Sequence, residues 1–416
     1  MNTTLNTTTD DLADLAFWTQ PSQVRLAAFA RLRELPEPRF FAERRVPLLR
    51  SGTGFHALVR HADVVEASRR PTIFSSEPSV SSPQPPGWVR HVFGEAMVDM
   101  DDPRHARLRR IVARAFTPRM LAKTEEDLRR TATEIVDDVL ARRPRDFVAA
   151  VAARLPITVI CDMMGIPGDL RSEVHRHVDT STEYSGVRSD VLRALRMGVR
   201  NASALMSLQR LVIRLGRRRR DEPSDDLISA LVHANVDGER LTARELGSFF
   251  TLLLVAGNET TRNAIAHGLH LLSVHPGQRE LLLSDYDRLI PTAVEEIVRH
   301  ATPIMQFRRT VTEDCDLNGH AFRRGDRVAL LYVSANRDGS VFTDPDAFDI
   351  TRSPNPHVGF GGPGPHFCLG AHLARREITV IFRELFTRLP GIRAVGEPEQ
   401  PPSNFDNGVR RLGFDF

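Results

Sequence analysis

Lysine is almost missing from this chain. Lys123 stands alone among 56 basic residues, and the rest are arginine. GC-rich codon usage accounts for that bias more simply than a nucleic-acid role. The formal net charge is only +3 although the sequence pI is 9.0, and a nucleic-acid binder concentrates one sign of charge. Cysteine is scarce too. Cys161, Cys315 and Cys368 are too few and too far apart for a disulfide framework, which suggests a reducing cytoplasm. Long apolar runs are absent: Phe249 to Ala256 is the longest, carries Thr251, and falls far short of the roughly 20 residues that cross a bilayer. No charged-then-apolar signal opens the chain, whose first ten residues are polar. The expectation is a soluble cytoplasmic protein with no membrane anchor.

What is present is an ordinary globular composition over 416 residues, 41% hydrophobic and 26% charged. That is core enough to enclose a sizeable ligand. Helical periodicity dominates, and no repeat or convincing linker interrupts it. The reading is a flexible polar segment over 1–20 followed by a single domain over 21–416. Its fold class is mainly α with small β-sheets. Helices are expected at 24–32, 62–68, 103–116, 118–140, 147–164, 187–215, 227–233, 291–300 and 369–389, with short strands at 39–49 and 55–59. The segment 242–274 is the longest helix, apolar nearly all round in its first half and therefore central. Between Gln306 and Val333 the pattern changes to strands and turns. Arg217 to Arg220 reads as a solvated helix end.

The most informative stretch is Phe360-Gly361-Gly362-Pro363-Gly364-Pro365-His366-Phe367-Cys368-Leu369-Gly370. Its glycines let the backbone pass close to something flat and bulky. Cys368 falls at the start of the 369–389 helix, where unpaired N–H groups and the helix dipole favour a thiolate. Zinc fits poorly, since no second Cys or His pair lies nearby. One thiolate suits a metal whose other ligands come from a macrocycle, which points to haem iron.

These residues make the chain resemble the soluble bacterial cytochrome P-450 family of haem-thiolate monooxygenases, with four motif blocks in the expected order. The resemblance implies haem b with Cys368 as its axial ligand and metal-binding residue, the thiolate favouring O–O cleavage. The usual Phe-Gly-x-Gly-x-His-x-Cys spacing is one residue longer here, so which residue stacks beside the thiolate stays open. The longer form resembles the subgroup that oxidises sterols and methyl-branched lipids. In Ala256-Gly257-Asn258-Glu259-Thr260-Thr261, Gly257 is costly in a helix and the Thr260 hydroxyl can bond back to the Ala256 carbonyl. A kinked core helix with a surface-reaching Glu would give the same string. The resemblance makes Glu259 and Thr260 the acid–alcohol pair that delivers protons during dioxygen activation, with Thr261 as packing.

By the same resemblance His105, Arg109, Arg309 and His366 bind the haem propionates, and Glu296, Arg299 and Arg352 form a structural network bracing the cysteine loop. Leu252, Val255, Ala256, Ile304 and Met305 fall where the family builds its substrate pocket, as do the loop 75–87, the segment 180–189 and the turn 404–408. Core packing explains such apolar residues equally well. Arg104, Arg107, Arg110, Arg114, Arg375 and Arg376 could form a basic patch for an acidic ferredoxin, or an ordinary solvated face. With no reductase fused, a separate ferredoxin and ferredoxin reductase would supply electrons. The expected reaction is hydroxylation of a bulky hydrophobic molecule: a terpenoid, steroid, branched lipid or polyketide-like natural product. Epoxidation, ring closure or aryl coupling at the same centre, a haem-binding sensor without turnover, and a zinc-binding structural protein are the rivals.

Overall fold

The structure, a computed structural model, describes residues 10–43, 54–81, 94–115, 118–181, 191–235 and 238–416. Parts of five expected elements lie outside those residues: the strand at 39–49, the last residue of the 103–116 helix, the first residues of the 187–215 helix, and much of the loop 75–87 and the segment 180–189.

Helices carry most of the mass. They are α1 (Leu15–Trp18), α2 (Ser22–Glu34), α3 (His61–Arg69), α4 (Arg104–Ala115), α5 (Pro118–Arg142), α6 (Arg154–Met164) and α7 (Gly168–Ser181). Then come α8 (Val191–Asp221), α9 (Leu227–His233), α10 (Ala243–Val274), α11 (Pro276–Ser284), α12 (Tyr286–Ala301), α13 (Tyr332–Ala335) and α14 (Ala371–Arg388). The main sheet is mixed. Its strands β1 (Phe40–Phe41), β2 (Phe55–Leu58), β3 (Phe74–Ser75), β4 (Gln306–Val311) and β7 (Arg327–Leu331) run in the order β1-β2-β7-β4-β3, with β2 parallel to β7. Strands β5 (Cys315–Leu317) and β6 (His320–Phe322) form a hairpin whose Asn318 and Gly319 both take positive φ, the geometry a two-residue turn needs. A second hairpin, β8 (Arg393–Glu399) and β9 (Arg411–Asp415), ends the chain.

The central helix begins where its sequence says it should. Thr242 Oγ1 accepts from Glu245 N at 3.2 Å, and Glu245 Oε2 accepts from Thr242 N at 2.9 Å, which closes a capping box. Leu246, Phe249, Phe250 and Leu254 bury the first half of α10 in one apolar cluster with α4, α6, α8 and α9. Ala264, Ile265, Leu269 and Leu272 bury its second half in another, with α5, α12 and α14. Each such side chain contributes about 1.5–3 kcal/mol on burial. The residues between these two runs interrupt the apolar surface, and that break is where the site lies.

Two expectations need correcting. Residues 10–20 do not belong to a flexible tail, because Leu12, Phe17 and Trp18 are buried against Phe29, Phe41 and Phe55, and Trp18 Nε1 donates to Leu12 O at 3.0 Å. Polar neighbours hid three apolar anchors. Nor is the Arg217–Arg220 run wholly solvated: Arg219 Nε donates to Oδ2 of the buried Asp226 at 2.6 Å, and Asp226 also caps α9.

Candidate active site

The chain from Ser353 to Gly370 forms neither helix nor strand, as its prolines and glycines require. Helix α14 starts only at Ala371, so Cys368 precedes it by a short turn instead of opening it. Cys368 N donates to Phe360 O at 2.9 Å, which closes the extended loop on itself. Gly364, at φ +148, lies so close to the Ser68 backbone of α3 that a Cβ there would collide with Ser68 O. Gly362 is pressed on the Ser68 side chain in the same way. These two glycines therefore serve contact with α3, while a Cβ on Gly361 would meet only His366 O, at 3.6 Å. Cys368 is open to solvent at its surface, yet the surrounding chain raises its thiol pKa by desolvation, with the Gly370 N–H, Arg109 and Arg375 pulling the other way. The expected gain from a helix start is thus outweighed. A metal would displace the proton.

Around His366, two residues before the cysteine, three further cationic or basic side chains converge. The His105 and His366 rings sit 4.2 Å apart, Ser76 Oγ lies 3.1 Å from His366 Nε2, and Arg109 Nη2 donates to Phe367 O at 2.8 Å. Arg309 projects from β4 and is buried. Burial, then Arg309, His105 and Arg109, push the His366 pKa down to about 3. Burial likewise lowers His105, against Asp102. Sites that crowd positive potential this way favour carboxylates.

On the central helix Thr260 Oγ1 donates to Ala256 O at 2.8 Å. Glu259 is buried and does not reach the surface. Its Oε1 pairs with Arg262 Nη2, and its Oε2 has no hydrogen-bond partner. Burial raises its pKa to about 7, Arg262 and the Asn263 amide opposing and Asp406 and Asp179 adding to the rise. A carboxyl poised there can take up and release a proton at neutral pH. Thr261 is more than packing, since its side chain hydrogen-bonds the buried Glu377 of α14.

Glu296, Arg299 and Arg352 meet as expected. Arg299 and Glu296 are fully buried and joined by two bonds of 2.7 Å, while Arg352 Nε lies 3.2 Å from Glu296 Oε2. Arg299 also donates to the Asn336, Pro345 and Ala347 carbonyls. Asn355 Nδ2 and Asp349 N complete the shell around Glu296. Sequence reasoning missed a second brace beside it. Glu295 takes Arg375 Nε at 2.5 Å and His357 Nε2 at 3.0 Å, and the Arg375 guanidinium lies 4.3 Å from the centroid of the Phe360 ring.

A loop cysteine beside a basic cluster, in a chain whose long central helix has an interrupted apolar surface, coincides with a match of residues 71–390 to the cytochrome P450 family. The chain belongs to that family. It is 45% identical over 405 residues to the methyl-branched lipid omega-hydroxylase of Mycobacterium tuberculosis H37Rv, covering 97% of this chain and 93% of the relative. It is 38% identical to a steroid C26-monooxygenase of Mycolicibacterium smegmatis, over 87% of this chain and 84% of that one. A Mycobacterium marinum cytochrome P450 solved with pseudoionone superposes with a TM-score of 0.90 at 40% identity, covering 98% of each chain. This P450 is therefore a monooxygenase, and its helix-rich fold with small sheets is the family's. No helix among its described residues is long and apolar enough to cross a membrane.

Membership implies haem, and the residues present fit one. A sulfur donor is open to solvent, one histidine and two arginines gather around the neighbouring His366, and Ala256 is exposed midway along the central helix. The apolar pocket set is split. Leu252, Val255 and Ile304 are half-buried, and Ile304 bridges to Asp406. Met305 turns the other way, into the cluster with Phe17, Trp18 and Phe29, where Arg25 Nη1 lies 3.7 Å from its sulfur. Successive residues of extended chain face opposite sides, so Ile304 and Met305 cannot both line one pocket. The basic patch is also smaller than expected: Arg104, Arg107, Arg375 and Arg376 pair with Glu95, Glu245, Glu295 and Glu125.

Proposed function

We propose that this P450 hydroxylates the terminal carbon of a methyl-branched hydrophobic chain at haem b ligated by Cys368. The observation that carries the substrate class is the near full-length identity with the methyl-branched lipid omega-hydroxylase. The lengthened cysteine loop and the pseudoionone held by the Mycobacterium marinum relative, itself a branched chain, support it. A steroid side chain is a second reading, supported by the C26-monooxygenase, because that side chain also ends in a methyl branch.

When bound, the haem supplies the iron at which two electrons and two protons convert dioxygen and a C–H bond into an alcohol and one water. The chain's own residues do the rest. His105, Arg109, Arg309 and His366 receive the propionates. The Arg299–Glu296–Arg352 network holds the cysteine loop in register. Thr260 passes a proton inward, and Glu259, near neutrality, replaces it. Leu252, Val255, Ala256 and Ile304 exclude water and orient the apolar chain. Electrons arrive from a separate ferredoxin and its reductase in the cytoplasm. Three unpaired cysteines, and Arg110 and Arg114 exposed on α4, are consistent with that setting.

Cys368→Ala should abolish the red-shifted reduced-CO Soret band, and retention of that band would refute the ligand. Pyridine haemochrome spectra identify the haem type. Pseudoionone and a methyl-branched fatty acid should shift the Soret band from low to high spin and yield a terminal alcohol by mass spectrometry. A straight-chain acid preferred over both would overturn the substrate class.

A further inference from the structure

The polar stretch Asn258–Asn263 of α10 and the loop after β8 share buried polar atoms that protein contacts leave unsatisfied. Glu259 Oε2, Arg262 Nε and Asn263 Nδ2 belong to the helix, and Asp406 Oδ2 to the loop. Gln306 Oε1 and Arg25 Nε are unpaired as well and belong to the same neighbourhood, since Gln306 Nε2 donates to Asn404 O and Arg25 lines one cavity with Asp406. Direct contacts make these neighbours. Asn263 Oδ1 accepts from Val409 N at 3.1 Å, His267 Nε2 lies 3.0 Å from Asn407 O, and Met305 N donates to Phe405 O at 2.8 Å. Glu259 senses the Asp406 charge. Outside Asp406 lies a cavity of about 280 Å³, walled by Trp18, Pro21, Arg25, Pro401, Ser403 and Asp406. Asp406 is only 3% exposed, with Oδ1 bound to Ser403 Oγ. An unsatisfied buried polar atom costs about 1–3 kcal/mol, so native proteins meet such groups with ordered water.

We propose that this cavity is the solvent end of a proton path that runs through ordered water past Asp406 to Glu259. A hydronium ion at the cavity gives up its proton, and the chain of waters and the Asp406 carboxylate hand it on. It ends on Glu259 Oε2, leaving water behind and moving no electrons. The charged groups facing Glu259 are Arg262 on its own helix, Asp406 on the loop and Asp179 on α7, with the Asn263 amide beside it. Asp406 is thus a positioning and relay residue, and its role rests on the reading of Glu259 and Thr260 given above.

Asp406→Asn keeps the shape and the Ser403 hydrogen bond. In the resting holoenzyme, the infrared stretch of the protonated Glu259 carboxyl, assigned by its loss in Glu259→Gln, should titrate with a lower midpoint, because a like charge has gone. In turnover with pseudoionone, product per NAD(P)H should fall several-fold, peroxide should rise, and the solvent deuterium isotope effect on product should grow. Added formate should restore part of the coupling. If Asp406→Asn loses haem, Pro401→Trp, which plugs the cavity wall and leaves the carboxylate, should give the same turnover signature. Unchanged coupling and isotope effect overturn the path, even if the infrared midpoint moves, since Asp406 would then be an electrostatic neighbour only. Glu259→Gln separates the two ideas. If it too leaves coupling intact, the acid–alcohol reading itself fails; if it uncouples while Asp406→Asn does not, the path alone fails.

Discussion

The two sides of this site treat buried charge in opposite ways. Beneath the cysteine loop, the fully buried Glu296 and Arg299 are satisfied: the carboxylate collects Arg299, Arg352, Asn355 and a backbone N–H, and the guanidinium fills three carbonyls besides. Along the polar stretch of α10 and the loop packed on it, Glu259, Arg262, Asn263 and Asp406 each keep a buried atom without a partner. The Glu296–Arg299 pair itself is rigid, because any displacement loses several charge-assisted bonds at once, although Asn355 beside it keeps Oδ1 without a partner. An incomplete network destabilises the fold and persists where groups have to change protonation. One side is held by paired charges; the other is left open, and under the proposal above it exchanges protons.

The largest effect should come from breaking the satisfied side. Arg299→Ala leaves Glu296 as an uncompensated buried carboxylate, a loss of about 3–5 kcal/mol. Denaturant titration of the purified protein should show that drop together with weakened haem retention. Arg299→Lys should recover little, since an ammonium cannot make the paired bonds. Stability near wild type in Arg299→Ala would mean that the network does not brace the loop.

Next in size is the pH dependence of the exchanging side. Burial pushes the Glu377 pKa up to about 8, with the Thr261 hydrogen bond opposing. In the unfolded chain the same carboxyl ionises near about pH 4.3. Between those values the folded protein holds a proton that the unfolded chain has released, so stability falls as pH rises through that window. Glu377→Gln should flatten the decline between about pH 5 and 8 by roughly 3 kcal/mol, read from denaturation at several pH values. Parallel profiles would show that the carboxyl is not held protonated.

How much of this was legible in the sequence follows from the range of the signal. Helix α10 was readable to within one residue because its apolar face, its Thr242 cap and Glu245 are local. Helix α7 was not, since only Val174 and Val178 are buried along it, too thin a stripe to show a period. Pro291 looked like a helix start and lies inside α12 instead, which begins at Tyr286. The Thr260 back-bond and the Glu296–Arg299 pair sit in short motifs, and the structure has both contacts. Asp406 and Glu259 are brought together only by folding, and so are Arg375 with Glu295 and Arg376 with Glu125. Charge pairing of that kind leaves no mark on neighbouring positions.

A smaller effect tests the hydroxyl on the exchanging side. Thr260→Ala removes the donor to Ala256 O without emptying a core position. Folding and haem content should hold, while oxygen consumption persists and product per electron pair drops several-fold in favour of peroxide. Several-fold in rate is about 1 kcal/mol. Unaltered coupling would transfer the proton-delivery role away from this residue.

The smallest effect should sharpen the contrast from the satisfied side's own surface. Arg376 pairs with Glu125 across α14 and α5, as Arg375 pairs with Glu295, but the arginine side chain is 39% exposed. Solvent screens such a pair, and holding two long side chains in place opposes it, so exposed pairs contribute about 0–1 kcal/mol. Arg376→Ala should therefore leave stability within that range, whereas Arg299→Ala does not, although both remove an arginine from a carboxylate partner. If docking by an acidic ferredoxin uses this face, the same variant should raise the ferredoxin concentration needed for half-maximal reduction at low salt, with the difference vanishing at high salt. A salt-independent change would assign Arg376 to packing, and no change at any salt would remove it from the docking surface.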